Sequence, residues 1–480
     1  PDSESVPGGL RLDRARLEVA PPDALCREPR PADLVLVDEA AAIPAPLLTR
    51  LLGHYPRIVF ASTVHGYEGT GRGFAVRFRR VLEKRTPGWR ALELITPVRW
   101  ARNDPVERFV FRALLLDAAA APDEALVAAD PAACSLERLD RDRLGEDEST
   151  LGELFGLLVL AHYRTSPLDL RHLLDGPNVS VYVARHAGHV AATALVAEEG
   201  GFDAGLAVAA YAGHRRPRGH LIPQSLAAHG GLEEAPRHRF ARVIRIAVHP
   251  AMQGRGLGSR LLERIVEEAR AGGLDAVGAS FSATPELLRF WARAGFRAAR
   301  VGVSREATSG THSVMVLRPL SSGGETLTAA AADRLLSQLP ALLSEPLRDL
   351  DPALATTLLA GAPAESLGRQ DWHDLTAFAF ARRTYEVTVV PLRKLTLLGL
   401  ASAARTLDEE QWALLVSKLL QIRSWADTAE AFDLAGRTAA IEALRAAART
   451  LILSMGGEAA VTEARRLAAM STRQADEERP

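Results

Sequence analysis

Two cysteines, Cys26 and Cys134, are all that the chain holds, which excludes a disulfide scaffold and any cysteine-rich zinc site. No run of about 18 apolar residues occurs, so no helix is long and apolar enough to cross a membrane. Charge of one sign is also missing. The formal net charge of −1 gives no global positive field that would announce nucleic acid, although a local basic surface stays compatible with it. Lysine is almost absent: Lys84, Lys394 and Lys418 are the only lysines among 58 basic residues. With so much alanine, the arginine excess reads as a biased genome, so only clustered arginine carries functional weight. No fixed-period repeat is visible, which argues against solenoids and propellers. No basic region leads into an apolar stretch near the start, so no secretory signal is visible and a cytoplasmic location is the expectation. The chain opens without Met, in a loop-like stretch from Pro1 to Gly9.

What is present is ordinary globular composition, 47% hydrophobic and 24% charged. At 480 residues the length suggests roughly three domains, each able to bury a core without disulfides or metals. Residues 33–39 and 57–62 are short apolar runs that read as buried parallel strands, with a helix from Pro46 to Leu52 between them. The acidic stretch Asp140 to Thr150 marks a boundary. Beyond it strands and helices mix. A helix spans Leu151 to Tyr163, and strands Val179 to Arg185 and His189 to Ala197 join across Ala187-Gly188. Further strands are Arg242 to Val248, Ala276 to Phe281 and Ser313 to Leu317; further helices are Leu257 to Ala271 and Pro285 to Ala294. Ser321 to Gly324 reads as a linker. Residues 325–470 are mostly helical, with Thr384 to Val390 a strand or an ordered loop.

The first chemical signal is Val35-Leu-Val-Asp38-Glu39, an apolar strand ending in two acids. This resembles the Walker B element of P-loop ATPases, in which such an Asp holds magnesium and the following Glu positions or deprotonates water. The same pattern also describes a strand ending in a solvated turn. Four glycines in eight residues, Gly66 to Gly73, follow the next strand and permit close backbone approach to a ligand; a flexible surface loop is the alternative. No G-x-x-x-x-G-K-[ST] occurs, so the cradle for the β- and γ-phosphates is missing from the sequence, and it is expected upstream of Pro1.

The strongest signal is Arg245-Ile-Ala-Val-His-Pro-Ala-Met-Gln253-Gly-Arg-Gly-Leu-Gly258-Ser259. A strand runs into a turn, then into Gln-x-x-Gly-x-Gly, then into an amphipathic helix. Glycines just before a helix leave backbone N–H groups free for an anion, and the helix dipole favours phosphate there. This resembles the acetyl-CoA signature of the GNAT acetyltransferases. By that resemblance Ile246, Ala247 and Val248 pair with the pantetheine arm. Gln253, Gly254, Arg255, Gly256, Leu257, Gly258 and Ser259 wrap the pyrophosphate. Trp291 and Phe296 read as core residues. His249 reads as structural.

Taken with Pro97-Val-Arg-Trp100, His162-Tyr-Arg-Thr-Ser-Pro167 and Arg305-Glu-Ala-Thr-Ser-Gly310, these segments resemble the tRNA(Met) cytidine acetyltransferase family. The resemblance implies an α/β multidomain protein. Its parts are a partial P-loop, RecD-like parallel-sheet domain (1–140), a GNAT domain (141–320) and a mostly helical tail (321–480). It implies acetylation of the wobble cytidine of elongator tRNA(Met) with acetyl-CoA and ATP. It adds Glu286 and Arg293 to the acetyl-CoA contacts, Arg99 to ATP, Asp38 to magnesium and Glu39 to ATP hydrolysis. His162 is the candidate catalytic base, a structural histidine being equally compatible with its position. The clustered Arg215, Arg216 and Arg218 suit an RNA backbone, or a solvated loop. tRNA is the expected partner, with no obligate protein partner evident. Two other functions remain open: a GNAT enzyme acting on a protein or small-molecule amine, and an RNA-binding remodelling module.

Overall fold

The computed structural model describes the chain apart from residues 1–2, 7–8, 13–14, 44, 64–77, 80, 162–166, 306–310, 403–405 and 478–480. Its contacts divide the chain into two units. One comprises residues 1–198, 241–272 and 306–310, the other residues 199–240, 273–305 and 311–480.

The first unit opens with a three-stranded antiparallel meander, β1 (Ser3–Val6), β2 (Gly9–Leu12) and β3 (Ala15–Glu18), where a loop was expected. Alternation in Gly-Leu-Arg-Leu and Ala-Arg-Leu-Glu fits a strand period of two, which a reading by Gly and Pro content misses. Next come the parallel strands β4 (Val35–Val37) and β5 (Ile58–Phe60), joined through helix α1 (Ala45–His54). They are shorter than expected and buried on one face only. Val37 packs with Leu48, Leu51, Tyr55 and Phe78, while the paired Leu36 and Val59 stay exposed. Period two explains the split, because successive side chains leave opposite faces.

Strands β6 (Ser135–Leu139), β7 (Val179–His186), β8 (His189–Gly200) and β9 (Arg239–Val248) run in the order β9-β8-β7-β6. β6 was not expected, and it pairs with β7 from the amino-terminal side of residue 140. The β7–β8 turn is Ala187-Gly188, both at positive φ as a tight hairpin requires. Helix α2 (Glu148–Ala161) buries Leu151, Leu154, Phe155, Leu157 and Leu158 against Val181, Val183, Val190 and Ala247 of these strands. Helix α3 (Pro167–Asp175) adds Leu170 and Leu173 to the same core.

The second unit contains helix α4 (Ala204–Tyr211) and the short helix α5 (Leu221–Gln224), neither expected, followed by a π-helical turn, Ser225–His229. Its strands β10 (Ala276–Ser282), β11 (Arg297–Arg305) and β12 (His312–Pro319) run β11-β12-β10, all antiparallel. β11 too was missed. The expected linker is instead a helix start: Ser321 caps α8 (Ser322–Leu342), its Oγ accepting from the Gly324 N–H at 3.0 Å. The remainder is helical, as expected. Among its helices are α8 (Ser322–Leu342), α9 (Arg369–Phe380), α10 (Val389–Ala401), α11 (Trp425–Ala431) and α12 (Arg437–Met455). Residues 384–390 are a turn running into α10.

Candidate acetyl-CoA site and nucleic-acid contacts

β9 carries Ile246 and Val248 half-buried and Ala247 in the core. Arg245, on the same strand, reaches Asp169 of α3 at 2.9 Å, with its side chain only 14% exposed. His249 ends the strand and is fully engaged. Its N–H donates to Ala191 O at 2.9 Å. Its Nε2 lies 2.8 Å from Ala121 O, and its Nδ1 accepts from the Ala251 N–H at 3.3 Å. Both ring nitrogens are therefore occupied by backbone, the donor at Nε2 and the acceptor at Nδ1. This agrees with a structural His249.

After a short 3-10 turn, Pro250–Met252, the Gln253 amide folds back to Val248 O at 3.0 Å. Gly254 and Gly256 take φ of +73° and +86°, and a Cβ at either would meet nothing within 4 Å. The left-handed backbone is what requires glycine here, and the space above it is open. Gly256 is also the N-cap of α6 (Leu257–Ala271), and it offers no side-chain cap. The Arg260 N–H bonds Gly256 O at 3.1 Å, the i to i−4 bond that opens the helix ladder. The N–H groups of Leu257, Gly258 and Ser259 precede it and stand outside the helix ladder. Uncapped donors, the positive end of the helix dipole and an open glycine turn make a cradle that fits a pyrophosphate.

The helix is fixed by its buried stripe: Leu257, Leu261, Leu262, Ile265, Val266 and Ala269. Tyr182 of β7 adds a hydrogen bond to Glu268 at 3.0 Å. Burial first, and then this bond, push the Tyr182 phenol above its usual range. Two arginines hold the turn from the other side. Arg255 donates to Val127 O at 3.2 Å and Ala129 O at 2.6 Å. Arg260 donates to Pro131 O and Cys134 O. The Arg255 side chain thus grips the polypeptide, leaving its backbone as the part available to a ligand. Sequence spacing contains no signal for a partner some 126 residues away.

Glu286 and Arg293 lie on α7 (Pro285–Arg293) in the second unit, both exposed. Glu286 pairs with Arg289 at 3.1 Å. Hydrogen bonds from its own N–H and from Thr284, and then the Arg289 charge, hold its carboxyl below the ordinary range. Trp291 is buried among Phe281, stacked at 5.7 Å, and Phe296, edge-on at 4.8 Å, as a core residue should be.

Arg215, Arg216 and Arg218 are exposed on the α4–α5 connection. The loop is tied down by Arg215 N–H to Ala209 O at 3.1 Å and by Gln224 to Pro217 O. Burial, then the charges of Arg300 and Arg216, lower the His229 pKa. The loop is therefore ordered while its guanidinium groups face solvent, which is what a phosphate contact needs.

Asp38 and Glu39 follow β4 and are exposed. Glu39 sits at φ +46°, left-handed and unusual for a non-glycine, and its N–H bonds Asp38 Oδ1 at 3.0 Å. Strain of this kind accompanies functional turns. Arg99 is exposed in a bend, residues 98–100. His162 and the glycine loop Gly66 to Gly73 lie outside the described residues.

Three family models match in series. RNA cytidine acetyltransferase NAT10/TcmA, helicase domain, matches residues 2–117. GNAT acetyltransferase 2 matches residues 153–272 and 264–321, and a tRNA-binding domain matches residues 324–457. The tRNA(Met) cytidine acetyltransferase TmcA of Nitrosococcus halophilus is 58% identical over 96% of this chain and 62% of its own length. The protein of that name from Haloarcula marismortui is 41% identical over 88% of this chain and 55% of its own. The one from Yersinia pestis is 38% identical over 78% and 54%. The chain therefore spans between 54% and 62% of the length of these relatives. By these matches, along almost its whole extent, the chain belongs to the tRNA(Met) cytidine acetyltransferase family.

Proposed function

We propose that the chain carries the acetyltransferase of an enzyme that moves acetyl from acetyl-CoA to the N4 amine of an RNA cytidine. The substrate is the wobble cytidine of elongator tRNA(Met), in the cytoplasm, with ATP hydrolysis assisting. One observation carries the reading. β9 leads through a short 3-10 turn into two open left-handed glycines and then into an uncapped helix N-terminus. The proposed parts are a helicase-like region to residue 140, an acetyltransferase region to 320 and a tRNA-contacting tail.

Acetyl-CoA supplies an activated thioester carbonyl. The backbone of Ile246, Ala247 and Val248 aligns the pantetheine arm, and the N–H groups from Gly254 to Ser259 bind the pyrophosphate. Glu286 and Arg293 are assigned to acetyl-CoA by the family resemblance alone. Arg215, Arg216 and Arg218 hold RNA phosphates. The cytidine amine is a weak nucleophile, its lone pair delocalised into the ring, so positioning contributes a large part of the rate. Its nitrogen bonds the acetyl carbon, the C–S bond breaks, and the thiol leaves. His162 is the candidate acceptor of the amine proton.

For ATP with magnesium, Asp38 is assigned to the metal, Glu39 to water and Arg99 to the nucleotide. The 480 residues contain no phosphate-cradling G-x-x-x-x-G-K-[ST] loop, so these three form part of a nucleotide site.

The test is transfer from radiolabelled acetyl-CoA to competing acceptors, namely total tRNA, spermidine and a protein mixture, with and without ATP. Label in tRNA is expected. Label in spermidine or protein alone would replace RNA with an amine substrate.

A further inference from the structure

In the helical tail, a π-helical turn, Val416–Leu420, is followed by Ile422 at φ +52°, a conformation unfavourable for a β-branched residue. The turn is over-determined. Arg348 donates to Ile422 O at 2.8 Å, Gln421 to Leu350 O at 2.6 Å, and the Lys418 ammonium to Arg423 O at 2.6 Å. Ser417 Oγ and Gln421 Oε1 are nevertheless buried without a partner. A segment that keeps strain and unmade hydrogen bonds is not arranged for stability alone.

What the turn presents is an aromatic pair among cations. Tyr385 and Trp425 meet edge to face at 4.8 Å, both half-buried. Lys418 Nζ lies 4.0 Å from the Trp425 ring centroid and 5.7 Å from that of Tyr385, and the Arg437 guanidinium is 5.5 Å from Trp425. Arg348, Arg437 and Arg393 lie close enough to act electrostatically on Lys418 or Tyr385, against Glu386 and Asp427 as the opposing acids. Ile422, Val387 and Val390 add exposed apolar surface. Cations outnumber acids, and flat rings interleave with guanidinium groups. That combination suits a polyanion bearing aromatic bases.

We propose that this face docks an unpaired nucleotide of the tRNA, its base against Tyr385 and Trp425 and its phosphates on Arg393 and Arg437, the latter exchanging its ion pair with Glu386 for phosphate. The inference rests on the RNA reading above and gives that RNA a second contact, on the tail.

The test uses the whole chain with unfractionated tRNA. Binding is measured across a salt series, and ultraviolet cross-linking is followed by peptide mass spectrometry. Trp425→Ala should weaken binding at least fivefold and Trp425→Phe by less than twofold, with acetyl-CoA affinity unchanged. The double variant Arg393→Ala/Arg437→Ala should lower the salt slope by about one to two and retains the test if Trp425→Ala does not fold. Cross-links should fall on Tyr385 or Trp425. If the wild type binds tRNA while the double variant matches it and cross-links fall elsewhere, this face is overturned and the RNA reading stands. Competition by polyglutamate as strong as by single-stranded RNA, without aromatic cross-links, would assign the face to an acidic protein segment instead. Absence of tRNA binding by the wild type would overturn both.

Discussion

Replacing Gly256 separates the shape of the cofactor turn from its charge. At φ +86° any L-residue pays roughly 1–2 kcal/mol, and since an added Cβ meets nothing within 4 Å, no clash adds to it. Gly256→Ala should therefore lower stability by about that much. Gly256→Glu carries the same backbone cost, but a carboxylate at a helix N-terminus returns roughly 0.3–1 kcal/mol. The Glu variant should consequently be as stable as the Ala variant or more so. Ligand binding reverses the order. A carboxylate about 6 Å from a phosphate charge repels it by roughly 0.7–3 kcal/mol, for an effective dielectric between that of the protein surface and that of water. Acetyl-CoA affinity of Gly256→Glu should fall at least about tenfold, roughly 1.4 kcal/mol, and further than that of Gly256→Ala. Calorimetric titration and thermal unfolding of the three proteins read both quantities. Equal affinity of Gly256→Glu and wild type would refute the pyrophosphate assignment. Equal losses in both variants would show that turn shape, not charge, governs binding.

Three other outcomes follow from named contacts. Asp275 receives the Ser321 hydroxyl at 2.6 Å and the Arg239 N–H at 2.9 Å. Burial would raise its pKa, but these bonds and His238 outweigh it and lower it. Its stabilisation is therefore present above the unfolded carboxylate pKa of about 3.9 and is lost as pH falls through the lower folded value. Acid unfolding followed by circular dichroism should show Asp275→Asn less stable at neutral pH and the difference shrinking in acid. Arg260→Ala removes the donor to Pro131 O and Cys134 O and should cost about 1–3 kcal/mol, a fall of several degrees in calorimetry. Replacing Arg215, Arg216 and Arg218 with Ala should weaken tRNA binding and flatten its log–log salt slope by about two to three, with acetyl-CoA affinity intact.

The sequence was most legible where several signals agreed. Helix α6 has the expected bounds, Leu257 to Ala271, because a glycine turn starts it, a periodic stripe fills it and Gly272-Gly273 end it. β6 and β11 were missed for a common reason. Each is the outer strand of its run, half-solvated, and Ser-Leu-Glu-Arg-Leu and Arg-Ala-Ala-Arg-Val-Gly-Val-Ser-Arg mix charge into the strand pattern. β11 is further broken by register shifts at Ala298/Arg300 and Val301/Arg305. Leu36 lies in an apolar run that reads as a buried strand but is exposed at 63%. Within the site, the glycines and the cofactor strand could be read. The grip of Arg255 on Val127 and Ala129, and the double engagement of His249, could not, because both depend on partners brought in by tertiary folding.

In the proposed reaction acetyl goes from acetyl-CoA to an RNA cytidine through the 253–259 turn. Its most direct measurement is nucleoside mass spectrometry of tRNA after incubation with acetyl-CoA, ATP and enzyme. Two enzymes are compared, identical except at Gly256. N4-acetylcytidine should form in tRNA with the wild type and fall at least tenfold with Gly256→Glu. Absence of N4-acetylcytidine from the wild-type reaction, alongside ready acetylation of a polyamine or protein mixture, would contradict the account.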